Sequence, residues 1–148
     1  MAQPKLTLAE FLPYQLSITS NAVSDLIARA YRGKFALKIP EWRLMAVLGE
    51  VASATQRQLV SATAMDKVTV NRASKALEER GLIGRAPNAA DGRSHHLALT
   101  KTGRELYDQI VPKALSIEDE LGTILGSGEA KALQAMLAQL RERAEELG

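Results

Sequence analysis

The segment MDKVTVNRASKALEERG, residues 65–81, constrains the fold most because both of its ends are marked. Asp66 can accept a hydrogen bond from the amide of Thr69 as an N-cap, and Gly81 is suited to the left-handed residue that closes a helix. At about 100° per residue, Val70, Ala73 and Leu77 share one side of the predicted helix, while Val68, Asn71, Arg72 and Lys75 share the other. An apolar stripe backed by an amide and two cations suits a helix laid in a DNA major groove. Asn and Arg make bidentate hydrogen bonds to base edges, and Lys meets phosphate. The preceding TQRQLVSATA reads as a short helix, with a tight turn at Ala64 and Met65. Short helix, turn and capped helix together make a helix-turn-helix, whose second helix faces the DNA.

Beyond Gly81, LIGRA and HHLALT are strand-like, with Leu97 and Leu99 on one face by two-residue alternation. Between them PNAADGRS is rich in turn formers, and Asp91-Gly92 is a hairpin dipeptide. A two-stranded hairpin after a helix-turn-helix is a wing. A cation at its tip, Arg93, is suited to the narrow minor groove, where the negative potential is strongest.

The flanks have a different pattern. From Leu8 to Arg32 the residues Leu12, Leu16, Val23, Ile27 and Ala30 recur at helical spacing, and Gly33 is the expected terminator. IPEWRLMAVLGEV, with Pro40 near its start, is a second helix. Thr100 is an N-cap candidate for a long helix marked by Leu106, Ile110, Ala114, Ile117, Leu121 and Ile124, which Pro112 should bend. After GSGE, Leu133, Leu140 and Leu147 fall at seven-residue intervals. These terminal seams carry more apolar surface than one protomer of this size hides, so a homodimer is expected. The fold class is mainly α with a small β-hairpin wing (α+β): an N-terminal dimerisation helix (1–38), a winged helix-turn-helix lobe (39–100) and C-terminal dimerisation helices (101–148).

Charge follows the same division. Residues 1–54 carry +2, residues 55–104 carry +5 and residues 105–148 carry −5. A basic middle with an acidic tail fits a polyanion partner at one place and protein or solvent at another. With no cysteine there is no disulfide, thiolate metal site or thiol sensor, and no segment resembles a membrane span, so a cytoplasmic protein is expected. Catalysis lacks its parts. His95 and His96 are adjacent in a predicted strand and point to opposite faces, and the glycines at 126 and 128 follow no strand. No catalytic residue, metal or cofactor is expected.

TQRQLVSATAMDKVTVNRASKALEERGLIGR followed by ADGRSHHLALTKTGRE resembles the MarR family of bacterial transcription regulators, and the helix order matches across nearly the whole chain. The resemblance implies a dimer with interlocked terminal helices, winged lobes that bind an inverted-repeat operator, and affinity that responds to a small molecule. It puts the recognition positions on Lys67, Thr69, Val70, Asn71 and Arg72, and the wing signature on Asp91 and Arg93. Asn71 stands where Ser or Thr is common, and Gly92 where Arg is frequent. Ala64 stands where Gly is usual, which implies ordinary helical geometry at the turn. The region implied for the effector carries the polar stripe Tyr14, Ser17 and Asn21 with Trp42 and Arg43, a set suited to a small aromatic or phenolic acid. The expected function is a sequence-specific repressor. The competing reading is a winged helix for sequence-neutral DNA packing or protein contact.

Overall fold

The computed structural model describes residues 3–86 and 95–148. They form two compact units, one running to Ile110 and the other Val111–Gly148.

In the first unit a 3₁₀ turn, Leu8–Glu10, precedes α1, Leu12–Phe35. The sequence reading began this helix at Leu8, but Pro13 has no N–H to give and belongs in a first turn, so the α-helix starts beside it. Gly33 does not end it. The chain turns at Ala36, which is left-handed (φ 53°), and the amide of Leu37 donates to the carbonyl of Tyr31 at 3.4 Å. Tyr31, Phe35 and Leu37 are all buried there, and that burial outweighs the local glycine signal.

Helix α2, Ile39–Glu50, starts where the Lys38 amide donates to Glu41 Oε1 at 3.1 Å. Strand β1, Ala54–Thr55, runs directly into α3, Gln56–Thr63. A reciprocal capping box opens α3: the Gln58 amide donates to Thr55 Oγ1 at 3.1 Å, and the Thr55 amide to Gln58 Oε1 at 2.9 Å. The turn into α4, Lys67–Glu79, passes through Ala64 at φ 54°. The expectation of ordinary helical geometry at Ala64 is therefore wrong. Reversing the chain between two packed helices requires a left-handed residue here, whatever its side chain.

Strands β2, Ile83–Arg85, and β3, His96–Leu99, pair antiparallel, with Ile83 opposite Leu99. The expected hairpin is present but the sheet has a third strand. β1 pairs with the other edge of β3, Ala54 opposite Leu97, giving the order β1-β3-β2. Two residues are too few for a strand to be read from periodicity. Helices α2, α3 and α4 pack on one another around Leu44, Leu48, Leu59, Val70 and Leu77, with Leu82, Ile83 and Leu97 buried in the same unit.

Thr100 caps α5, Lys101–Gly122: its hydroxyl accepts from the Gly103 amide at 3.0 Å and donates to the Gly81 carbonyl at 2.6 Å. A Cβ at Gly103 would overlap the Leu82 carbonyl. Pro112 lies within α5 without ending it, and the helix stops before Ile124, which the sequence reading included. In the second unit α6, Glu129–Leu147, follows Gly128, whose φ is 79°.

Ala64→Gly should raise the unfolding free energy by about 0.5–1 kcal/mol in a denaturant titration, since relief of a left-handed alanine exceeds the added unfolded-state entropy. Gly103→Ala should lower it by roughly 1–3 kcal/mol through overlap with fixed backbone.

Candidate nucleic-acid interface

Helix α4 carries most of the proposed contact residues, and its local chemistry fixes their direction. The Thr69 amide donates to Asp66 Oδ1 at 2.7 Å. That bond stabilises the charged carboxylate and holds Asp66 below its ordinary value of 3.8. Val70, Ala73, Ser74 and Leu77 are buried, and Lys67, Val68, Asn71, Arg72 and Lys75 are exposed. Thr69 lies between these classes. Val70, a recognition position by family resemblance, is fully buried and belongs to the core.

The angle of α4 against α3 is held by a polar contact that sequence reasoning missed. Gln56 Nε2 donates to Ser74 Oγ at 2.8 Å, and Ser74 Oγ donates to the Val70 carbonyl at 3.0 Å. The available signal was a serine on an otherwise apolar helix face.

Two hollows flank α4. On one side Thr69, Arg72, Ala73 and Ala76 face Lys38, Pro40 and Glu41 of the α2 start across about 220 Å³. On the other, Lys67 faces Gln56, Arg57 and Val60 of α3 across about 410 Å³. The outward face is thus bordered by cations on both flanks, Lys38 with Arg72 and Arg57 with Lys67. That arrangement suits a groove walled by phosphates. Lys38 and Arg57 were not among the residues singled out from sequence.

Strand β2 ends at exposed Arg85, and the Ala86 amide donates to the His96 carbonyl at 2.7 Å, carrying the ladder toward the wing. Asp91 and Arg93 lie outside the described residues. His95 is exposed and His96 is half-buried, its Nδ1 3.4 Å from Ser53 Oγ. Among the described residues no group of His, Cys, Asp and Glu could hold a metal ion, and no helix is long and apolar enough to cross a membrane.

The effector candidates divide by environment. Tyr14, Ser17 and Asn21 are exposed along α1, and Arg43 is exposed on α2. Trp42 is half-buried in an aromatic cluster: Tyr31 meets it edge-on with centroids 5.3 Å apart, and Tyr107 stacks on it at 6.2 Å. Burial raises the Tyr31 phenol above its ordinary value. Gly49 makes room for the Tyr107 ring, since a Cβ there would enter it. Arg80, at the end of α4, donates to the carbonyls of Ala36 at 2.8 Å and Phe35 at 3.3 Å, so it closes the end of α1.

Residues 37–94 match the MarR family model. The HTH-type transcriptional repressor NicR of Pseudomonas putida is 28% identical over 104 residues, which are 70% of this chain and 66% of NicR. The chain thus spans just under two thirds of the length of that curated relative. A MarR/EmrR family transcriptional regulator from Acinetobacter sp. ADP1 superposes with a TM-score of 0.88 at 26% identity, covering 95% of this chain and 99% of the other. The repressor CouR, in a structure bound to a 23-mer DNA duplex, gives a TM-score of 0.81 at 26% identity over 93% of this chain and 99% of the other.

The cap at Asp66 makes stability pH-dependent in a defined direction. Its folded value is depressed, so the charged cap's contribution is fully present above 3.8 and is lost as the pH falls through the folded value. The melting temperature of the native protein relative to Asp66→Asn, which keeps an acceptor without the charge, should decline across that acidic window and stay level above it.

Proposed function

Since this chain belongs to the MarR family of transcription regulators, we propose that it is a cytoplasmic homodimeric repressor. It reads an inverted-repeat operator in double-stranded DNA with α4 and the wing, and a small aromatic or phenolic acid releases it. The observation that carries this reading is the outward face of α4, where Asn71 and Arg72 are exposed beside Lys67 and Lys75 while the opposite stripe is buried. Asn71 and Arg72 hydrogen-bond base edges, and Lys67, Thr69 and Lys75 meet the phosphate backbone. Asp91 and Arg93, the wing signature that the family resemblance implies, complete the DNA-contacting set, with Arg93 suited to the minor groove. Repression is favoured by the relatives NicR and CouR, both transcriptional repressors, and a duplex ligand by the CouR complex. The chain is a regulator by family and not an enzyme.

Dimerisation is supported within each unit separately. Leu8, Leu12, Leu16 and Ile18 are exposed in the first, and Leu133, Met136, Leu137 and Leu140 in the second. Apolar rows of this length on a small chain call for a partner surface. A two-fold dimer then meets two half-sites about one helical turn, some 34–36 Å, apart.

For the effector, Tyr14, Ser17 and Asn21 supply hydroxyl and amide groups, Trp42 an aromatic surface and Arg43 a cation for a carboxylate. The half-exposed Trp42 ring, already seated on two tyrosines, is the observation that favours an aromatic ligand.

Footprinting should show two protected half-sites. Arg72→Ala should cost about 1–3 kcal/mol on the operator and relax specificity, whereas Lys75→Ala should weaken all sequences alike and reduce the salt slope by about 1. Equal losses on operator and random DNA for both variants would remove the base-reading assignment.

In calorimetry against a panel of aromatic acids, Ser17→Ala, Asn21→Ala and Arg43→Ala should each weaken binding. Unchanged affinity in all three would move the pocket elsewhere.

A further inference from the structure

Among the outward residues of α4, one can neither donate nor accept a hydrogen bond. Val68, the second residue of the helix, is 64% exposed, whereas Val70, two positions on, is fully buried. Its neighbours at the following turn of the same face, Asn71 and Arg72, are polar and exposed. Nothing among the described residues of the lobe explains an apolar residue here. It covers no core, and as the second residue of the helix it has no preceding turn to pack on. A major groove supplies a reason. The donors and acceptors on base edges suit Asn and Arg, and the apolar group presented there is the C5-methyl of thymine.

We propose that Val68 is a specificity-determining residue that packs on a thymine methyl in each half-site; this rests on the DNA-reading function above. Its β-branched side chain is an advantage in that role, because restricted χ1 freedom leaves little to lose when it presents an apolar surface. The position of the thymine follows from helix geometry. Side chains three or four residues apart lie about 5–6 Å from one another, and base pairs rise about 3.4 Å, so the thymine lies within about two base steps of the purine bound by Asn71 or Arg72.

The test uses the full chain and duplexes that it enriches from a random-sequence pool. Each thymine of one half-site is replaced in turn by deoxyuridine, which removes the methyl and leaves base pairing intact. Affinities are measured for the native protein, Val68→Ala and Val68→Thr. At one thymine the native protein should lose about fourfold, the worth of one buried methyl. Val68→Ala should bind the thymine and uracil duplexes equally at that position, and Val68→Thr, which keeps a methyl, should retain part of the discrimination. With cytosine placed there opposite guanine, 5-methylcytosine should bind the native protein better than cytosine does.

Enrichment of a sequence with no uracil penalty, or with penalties that Val68→Ala leaves unchanged at every thymine, overturns the Val68 assignment while leaving base reading by α4 in place. Failure to enrich any sequence overturns the base-reading function, and the assignment falls with it.

Discussion

Burial of Val70, Ala73 and Leu77 decides where every other side chain of α4 points. A helix has one rotational freedom about its axis, and fixing three residues of one stripe against α2 and α3 removes it. Once that stripe is inside, Val68, Asn71, Arg72 and Lys75 are outside by geometry. The Gln56–Ser74 hydrogen bond adds a directional constraint to a non-directional one. Apolar packing tolerates small sliding between helices, but a 2.8 Å donor–acceptor pair set within that packing does not. The cap at Asp66 fixes the remaining variable, the residue at which the helix begins.

Much of this was legible because the signals are local. Asp66, Gly81 and Thr100 are read from helix-end chemistry, and the structure gives each the role expected. The two faces of α4 follow from periodicity alone. What was not legible depends on partners distant in sequence. Gly33 looked like a terminator until Phe35 and Leu37 were seen to be buried beyond it. Ala64 looked helical because alanine favours helices, yet the reversal between α3 and α4 imposes a left-handed residue. Strand β1 exists because β3 offers it an edge, and two residues carry no periodicity of their own. Lys38 and Arg57 join the candidate site only through the packing of α2 and α3 beside α4.

The basic excess of the middle segment also needs to be divided by use. Arg80 spends its guanidinium on two carbonyls left open by the end of α1, where the helix dipole is negative. Arg104 donates to the Gly49 carbonyl and lies over the Tyr107 ring at 5.3 Å. These cations organise the protein itself. Those left on the α4 side, Arg57, Lys67, Arg72 and Lys75, are fewer than the formal charge suggests but lie together.

The central place of β3 in the sheet has a consequence for the order in which the lobe assembles. Helices α2, α3 and α4 follow one another in the chain with the two-residue β1 the only strand between them, and they pack together within residues 39–79. Ser53 and His96, by contrast, are 43 residues apart and meet only when the whole helix-turn-helix has been looped out between them. During synthesis the β1 edge emerges long before its partner, and it stays unpaired until β3 has left the ribosome. The pairing of β1 with β3 therefore closes the longest loop in the sheet, whereas β2 and β3 are near neighbours in sequence and can pair before it.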